Sequence, residues 1–157
     1  MFTAMHHISL SVRHLESSIA FYEQFGFRAE TIRHGVANDY FRVIVAFPDA
    51  VVHTAMLSGP YPVRLELMQY AQPQGAMLDL ATNNVGSTHI CFLTADIHAE
   101  VERLKQNGVR FKSDIVYIDA GPSTGAYGVY LLDPDGYTME LLQPAAKAGT
   151  AKEANQA

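Results

Sequence analysis

The chain repeats itself, and this repeat limits its fold more than any other feature. His7-Ile-Ser-Leu-Ser-Val-Arg-His-Leu aligns without a gap on His89-Ile-Cys-Phe-Leu-Thr-Ala-Asp-Ile, a shift of 82 residues. At the same shift Leu15 falls on Ile97, Gly26 on Gly108 and Arg28 on Arg110. The ends of the copies match as well: Leu65-Glu66-Leu67-Met68-Gln69 against Met139-Glu140-Leu141-Leu142-Gln143, offset by 74. The first copy therefore carries eight extra residues in its middle. Any acceptable fold must be built twice from one supersecondary unit.

Each copy follows one grammar. A strand with alternating apolar residues covers about 6–12, with Ile8, Leu10 and Val12 on one face, and about 88–94 in the second copy. A helix follows over about 15–24 and 96–106. Leu15, Ile19 and Tyr22 form the apolar face of the first, and Ile97, Val101 and Leu104 that of the second. Gly26 and Gly108 stand just past these helices, where a left-handed cap residue is wanted. Three extended segments come next: about 27–34, 51–57 and 63–70, then 109–118, 126–132 and 137–143. Residues 35–50 are the insertion, and Asp133-Pro134-Asp135-Gly136 predicts a tight hairpin turn.

The fold class is thus α+β, two tandem βαβββ modules, with module one over 4–70, a linker over 71–86 and module two over 87–144. Residues 145–157 contain no large apolar side chain and are expected to be a flexible tail on a single domain, 1–144.

Parity assigns the faces of each strand. Val63, Leu65 and Leu67 fall on the helix side, whereas Arg64, Glu66, Met68 and Tyr70 fall on the other. Ile90 and Phe92 oppose His89 and Cys91, and Met139 and Leu141 oppose Thr138, Glu140 and Leu142. First and last strands of both modules therefore present a His or Glu away from the helix: His7, Glu66, His89 and Glu140. If the two non-helix faces curl toward each other, the set suits a divalent transition metal: Zn, Ni, Co, Mn or Fe. Clustering carboxylates without a metal would raise a pKa or cost stability. A plain polar face on a half-buried sheet explains any one of these residues, but explains their paired repetition poorly.

Hydrophobic residues at 48% and charged residues at 17% fit a globular protein. A net charge of −5 without a basic run argues against nucleic acid. The longest apolar runs are too short for a membrane span, and no signal-peptide pattern follows Met1. Cys91 is the single cysteine, so a reducing cytoplasm is the expected setting.

These residues resemble the vicinal oxygen chelate superfamily, which includes glyoxalase I, methylmalonyl-CoA epimerase, extradiol dioxygenases and bleomycin-resistance proteins. The matching features are His7-Ile-Ser-Leu-Ser-Val, Leu15, Phe21-Tyr22, Gly26-Phe27, Thr88-His89-Ile90-Cys91-Phe92, and Tyr130-Leu131-Leu132-Asp133-Pro134-Asp135-Gly136-Tyr137 with Glu140-Leu141. The resemblance implies curved sheets around a metal-bearing cleft, with His7, Glu66, His89 and Glu140 holding one divalent ion. It lies nearest the four-ligand glyoxalase I and epimerase types. An iron(II) dioxygenase would leave Glu66 surplus, and an antibiotic binder would generally lack the set.

The implied activity is that of a glyoxalase-type isomerase, epimerase or lyase abstracting a proton next to a metal-bound carbonyl of a small molecule. Glu140 or Glu66 would be the base, with Glu140 favoured. Arg64, Met68, Tyr70, His53, Arg42 and Tyr127 are candidates for the substrate pocket, and the insertion for a lid or wall. Cys91 shares the face of His89, where it could line the pocket, but a small buried thiol is the expected reading. The expected partners are a small-molecule substrate and a second copy of the chain in a homodimer, without nucleic acid or membrane.

Overall fold

The computed structural model describes residues 1–146. The tail expected over 145–157 lies, from residue 147 on, outside the described residues. Contacts divide the chain between Asp79 and Leu80 into two compact units.

In the first unit, β1 (His7–Ser11), α1 (Leu15–Glu23), β2 (Arg28–Val36), β3 (Val51–Ser58) and β4 (Arg64–Gln72) form the βαβββ pattern. The sheet order is β1-β4-β3-β2, so first and last strands lie side by side and parallel. Helix α1 packs on β2, β3 and β4, and the layer between holds Leu10, Leu15, Phe21, Tyr22, Leu57, Leu65 and Leu67, all buried. Each such side chain contributes about 1.5–3 kcal/mol by leaving water.

The second unit repeats the plan with β5 (His89–Leu93), α3 (Ile97–Gln106), β6 (Arg110–Phe111), β7 (Val116–Tyr117), β8 (Tyr127–Leu132) and β9 (Thr138–Gln143). The order β5-β9-β8-β6, with β7 also on β8, again sets first and last strands parallel. Phe92, Ile97, Val101, Leu104, Leu131, Met139 and Leu141 form its core.

Local chemistry explains why both copies adopt this path. The two helices end in the same motif. Gly26 N–H donates to Glu23 O at 3.1 Å and Phe27 N–H to Tyr22 O at 3.4 Å; Gly108 and Val109 donate to Lys105 and Leu104 at 2.9 and 3.0 Å. The glycine φ values of +87° and +78° are the left-handed cap that the sequence requires.

The helix starts are held from the last strand. Leu15 N–H donates to Gln69 Oε1, and Ile97 N–H to Gln143 Oε1, both at 2.8 Å. Asp133, only 1% exposed, builds the β8–β9 turn: its Oδ1 accepts from Asp135 N–H at 2.9 Å and Tyr137 N–H at 2.8 Å.

Two segments depart from the sequence reading. The insertion contains a helix, α2 (Asp39–Val45), none of whose residues is buried; its Val-Ile-Val end has low helix propensity and no core face to reveal it. The single strand expected over 109–118 is split into β6 and β7, because the backbone bends at Ser113, whose hydroxyl donates to Asp114 O.

Candidate functional site

The parallel pairing of first and last strands fixes where the His and Glu side chains meet. In module one His7 is opposite Arg64 and Ser9 opposite Glu66. In module two His89 is opposite Thr138 and Cys91 opposite Glu140. Each His therefore reaches its Glu along the same diagonal. His7 Nε2 stands 3.5 Å from Glu66 Oε2, and His89 Nε2 stands 3.1 Å from Glu140 Oε2. The side chains stay partly open to water, 36% and 23% in the first pair and 44% and 19% in the second.

Two donors on one tetrahedral ion, each about 2.0–2.2 Å from it, stand about 3.3 Å apart. Each pair fits half of such a ligand set in donor type and spacing. Among the described residues, no group of three or more His, Cys, Asp or Glu side chains is assembled to hold a metal.

The surroundings of the two carboxylates differ. Glu66 has Ser9 and Met56 opposite it in the sheet, whereas Glu140 has Cys91 and Tyr130. Cys91 corrects the sequence reading: its thiol is exposed, not buried, because β5 turns this parity away from α3. Partial desolvation, then the charge of Glu140 and a hydrogen bond with it, push the thiol up to about 11. Tyr130 is raised by desolvation, then by Glu140 and Cys91, and its ring centroid lies 5.4 Å from that of His89. Tyr70 is raised by burial and then by Glu66.

The other pocket candidates scatter within their own units. Arg64 Nε pairs with Glu30 Oε2 at 3.5 Å, and its Nη1 meets His6 Nε2 at 3.2 Å. Met68 is buried at 9% exposure. His53 Nδ1 lies 3.3 Å from His34 Nδ1 and accepts from Gly35 N–H at 3.1 Å. Arg42 donates to Ala50 O at 3.3 Å and pairs with Asp39 at 3.7 Å. With Asp39, Val43, Ala46 and Pro48 it lines a surface cavity of about 430 Å³, which neither His7 nor Glu66 reaches. The Tyr127 ring packs at steep angles against Tyr117 and His98, with centroids 5.3 and 5.9 Å away.

Sequence reasoning missed Tyr130 and His6. The parity of β8, which pairs Tyr130 with Glu140, could have found the first. His6 lies outside the strand, so no periodic signal marks it.

A family model matches residues 4–141. The chain belongs to the Glyoxalase/Bleomycin resistance protein/Dioxygenase superfamily. Within this superfamily it is 32% identical, over 149 residues, to a 2-epi-5-epi-valiolone epimerase from an Actinomyces species, covering 92% of this chain and 81% of that protein. A glyoxalase family protein from Bacillus cereus shares the fold with a TM-score of 0.80 at 21% identity, covering 93% of this chain and 97% of that one. FosX, a fosfomycin resistance protein from Listeria monocytogenes crystallised with Mn(II) and sulfate, matches with a TM-score of 0.60 at 18% identity, covering 94% and 96%. Among the described residues no helix is long and apolar enough to cross a membrane.

Proposed function

We propose that this superfamily member is a divalent-metal-dependent epimerase in which His7 with Glu66, and His89 with Glu140, supply the ligands of one ion. The observation that carries this reading is the His–Glu contact closed on the same strand diagonal in both modules. The choice of epimerisation over other proton-transfer chemistry rests on the 32% identical epimerase. The FosX neighbour, crystallised with Mn(II), makes manganese a first choice for loading.

When bound, the ion would supply Lewis-acid polarisation of a substrate carbonyl. The chain's own part is to move the proton from the adjacent carbon. Inversion needs one group to accept the proton on one face and a second to deliver a proton to the other, and the two carboxylates are the fitting pair, one of them the base. Glu140 is our assignment, since its hydrogen bond with Cys91 orients it before any substrate arrives. Opposite Glu66 the matching positions hold Ser9 in place of Cys91, and Met56, which has no donor, in place of Tyr130. Among the pocket candidates Tyr70 is the one beside Glu66, and Tyr130 joins the set beside Glu140.

The test is incubation of Mn(II)-loaded protein with 2-epi-5-epi-valiolone in deuterated water, following deuterium uptake and the epimer by NMR. Glu140→Gln is expected to lower turnover by at least about 10²-fold. His7→Ala and His89→Ala should each abolish binding of the whole ion, because both pairs serve it. Halved stoichiometry in either variant would refute the shared ion. Turnover intact in either Glu140→Gln or Glu66→Gln would refute the mechanism. Tight metal binding without exchange would mark a binding protein instead, and oxygen consumption with a catechol would mark a dioxygenase.

A further inference from the structure

His7 is held from behind by an arrangement that module two lacks. Arg64 Nη1 lies 3.2 Å from His6 Nε2, His6 Nδ1 lies 2.7 Å from His7 Nδ1, and His7 Nε2 lies 3.5 Å from Glu66 Oε2. The rings of His6 and His7 meet edge to face, their centroids 5.0 Å apart at 81°. At the matching repeat positions module two has Thr88 for His6 and Thr138 for Arg64.

Proton positions follow from what each group can do. A guanidinium only donates, so His6 Nε2 must accept from Arg64. Neutral His6 then carries its proton on Nδ1 and donates it to His7 Nδ1. That leaves the His7 proton on Nε2, where it faces the Glu66 carboxylate. All three contacts run in one direction, from Arg64 to Glu66.

A metal takes the lone pair of a neutral imidazole nitrogen, and His7 Nε2 has none to offer in this state. Freeing it moves the His7 proton to Nδ1, which then donates to His6 Nδ1. The His6 proton must in turn sit on Nε2, facing the donors of Arg64. Each ring keeps one proton throughout, and what is lost is the Arg64–His6 hydrogen bond. Glu30, 3.5 Å from Arg64 Nε, remains to hold the displaced guanidinium.

We propose that Arg64 and His6 form a tautomer latch on His7, keeping its Nε2 protonated until a metal ligates that nitrogen and expels Arg64 from His6. The proposal rests on reading His7 as a ligand. Module two, with Thr88 and Thr138 at the matching positions, has no such latch on His89. His6 and Arg64 are positioning residues that act through His7.

The experiment is imidazole ¹⁵N NMR on the metal-free full chain, followed by zinc titration of wild type, Arg64→Gln and His6→Ala. Metal-free wild type should show His7 protonated at Nε2 and His6 at Nδ1. Zinc should reverse the His7 tautomer. Glutamine can accept a hydrogen bond from His6 Nε2 where arginine cannot, so Arg64→Gln should bind zinc more tightly, on the order of ten-fold. His6→Ala should also tighten binding, whereas a simple support for His7 would weaken it. The latch is overturned if metal-free His7 is protonated at Nδ1, or if neither variant binds more tightly than wild type. A wild type that takes up no metal would sink the ligand assignment, while the metal-free tautomers still decide the latch.

Discussion

Cys91 offers a direct readout of Glu140, through the rate at which its thiol reacts. Partial desolvation, then the Glu140 charge and hydrogen bond, move this thiol from 9.0 to about 11. The thiolate is the nucleophile, and a displacement of that size leaves about a hundredth of the ordinary thiolate at pH 8. Iodoacetamide should therefore modify the chelator-treated protein about 100-fold more slowly than a short cysteine peptide, although the thiol is exposed. Glu140→Gln removes the charge while desolvation remains, so the rate should rise and its pH midpoint should fall partway toward 9.0.

The same shift sets a sign for stability. The unfolded chain ionises Cys91 first, so this group favours unfolding as pH rises from 9.0 toward about 11. A rate equal to that of the peptide, or a pH profile unmoved by Glu140→Gln, would refute the coupling between the two side chains.

Two further predictions concern stability. Gln69→Ala and Gln143→Ala each strip a helix-start N–H of its acceptor and should cost about 1–2 kcal/mol in urea unfolding. The loss should be larger for Gln69→Ala, because His14 gives α1 no side-chain cap while Asp96 still accepts from Ala99 N–H in α3. Asp133→Ala removes the side-chain acceptor of two turn N–H groups and should cost about 1–3 kcal/mol, read as a lower urea midpoint at unchanged slope.

What the sequence made legible was whatever repeated with a period. Alternation placed β1, β4, β5 and β9 and the faces that carry His7, Glu66, His89 and Glu140, and the two glycines placed the ends of α1 and α3. Helix α2 stayed hidden because none of its seven residues is buried, so burial imposed no pattern on it. Gln69 and Gln143 were visible as a match but not as caps, because that role depends on where a helix starts relative to a distant strand end. The His6–His7–Arg64 contacts were illegible for the same reason: they join residue 6 to residue 64.

The parallel pairing of β1 with β4 also has a consequence for how the chain comes off the ribosome. Strand β1 lies at the end of its sheet order, so after its synthesis it waits for more than fifty residues before its partner emerges. The β2–β3 hairpin can close meanwhile, but His7 cannot meet Glu66 until the module's last strand is threaded into place. Contacts of such long sequence separation form late. A His7–Glu66 contact in a nascent or truncated chain would therefore report the completion of the module, and not merely its collapse.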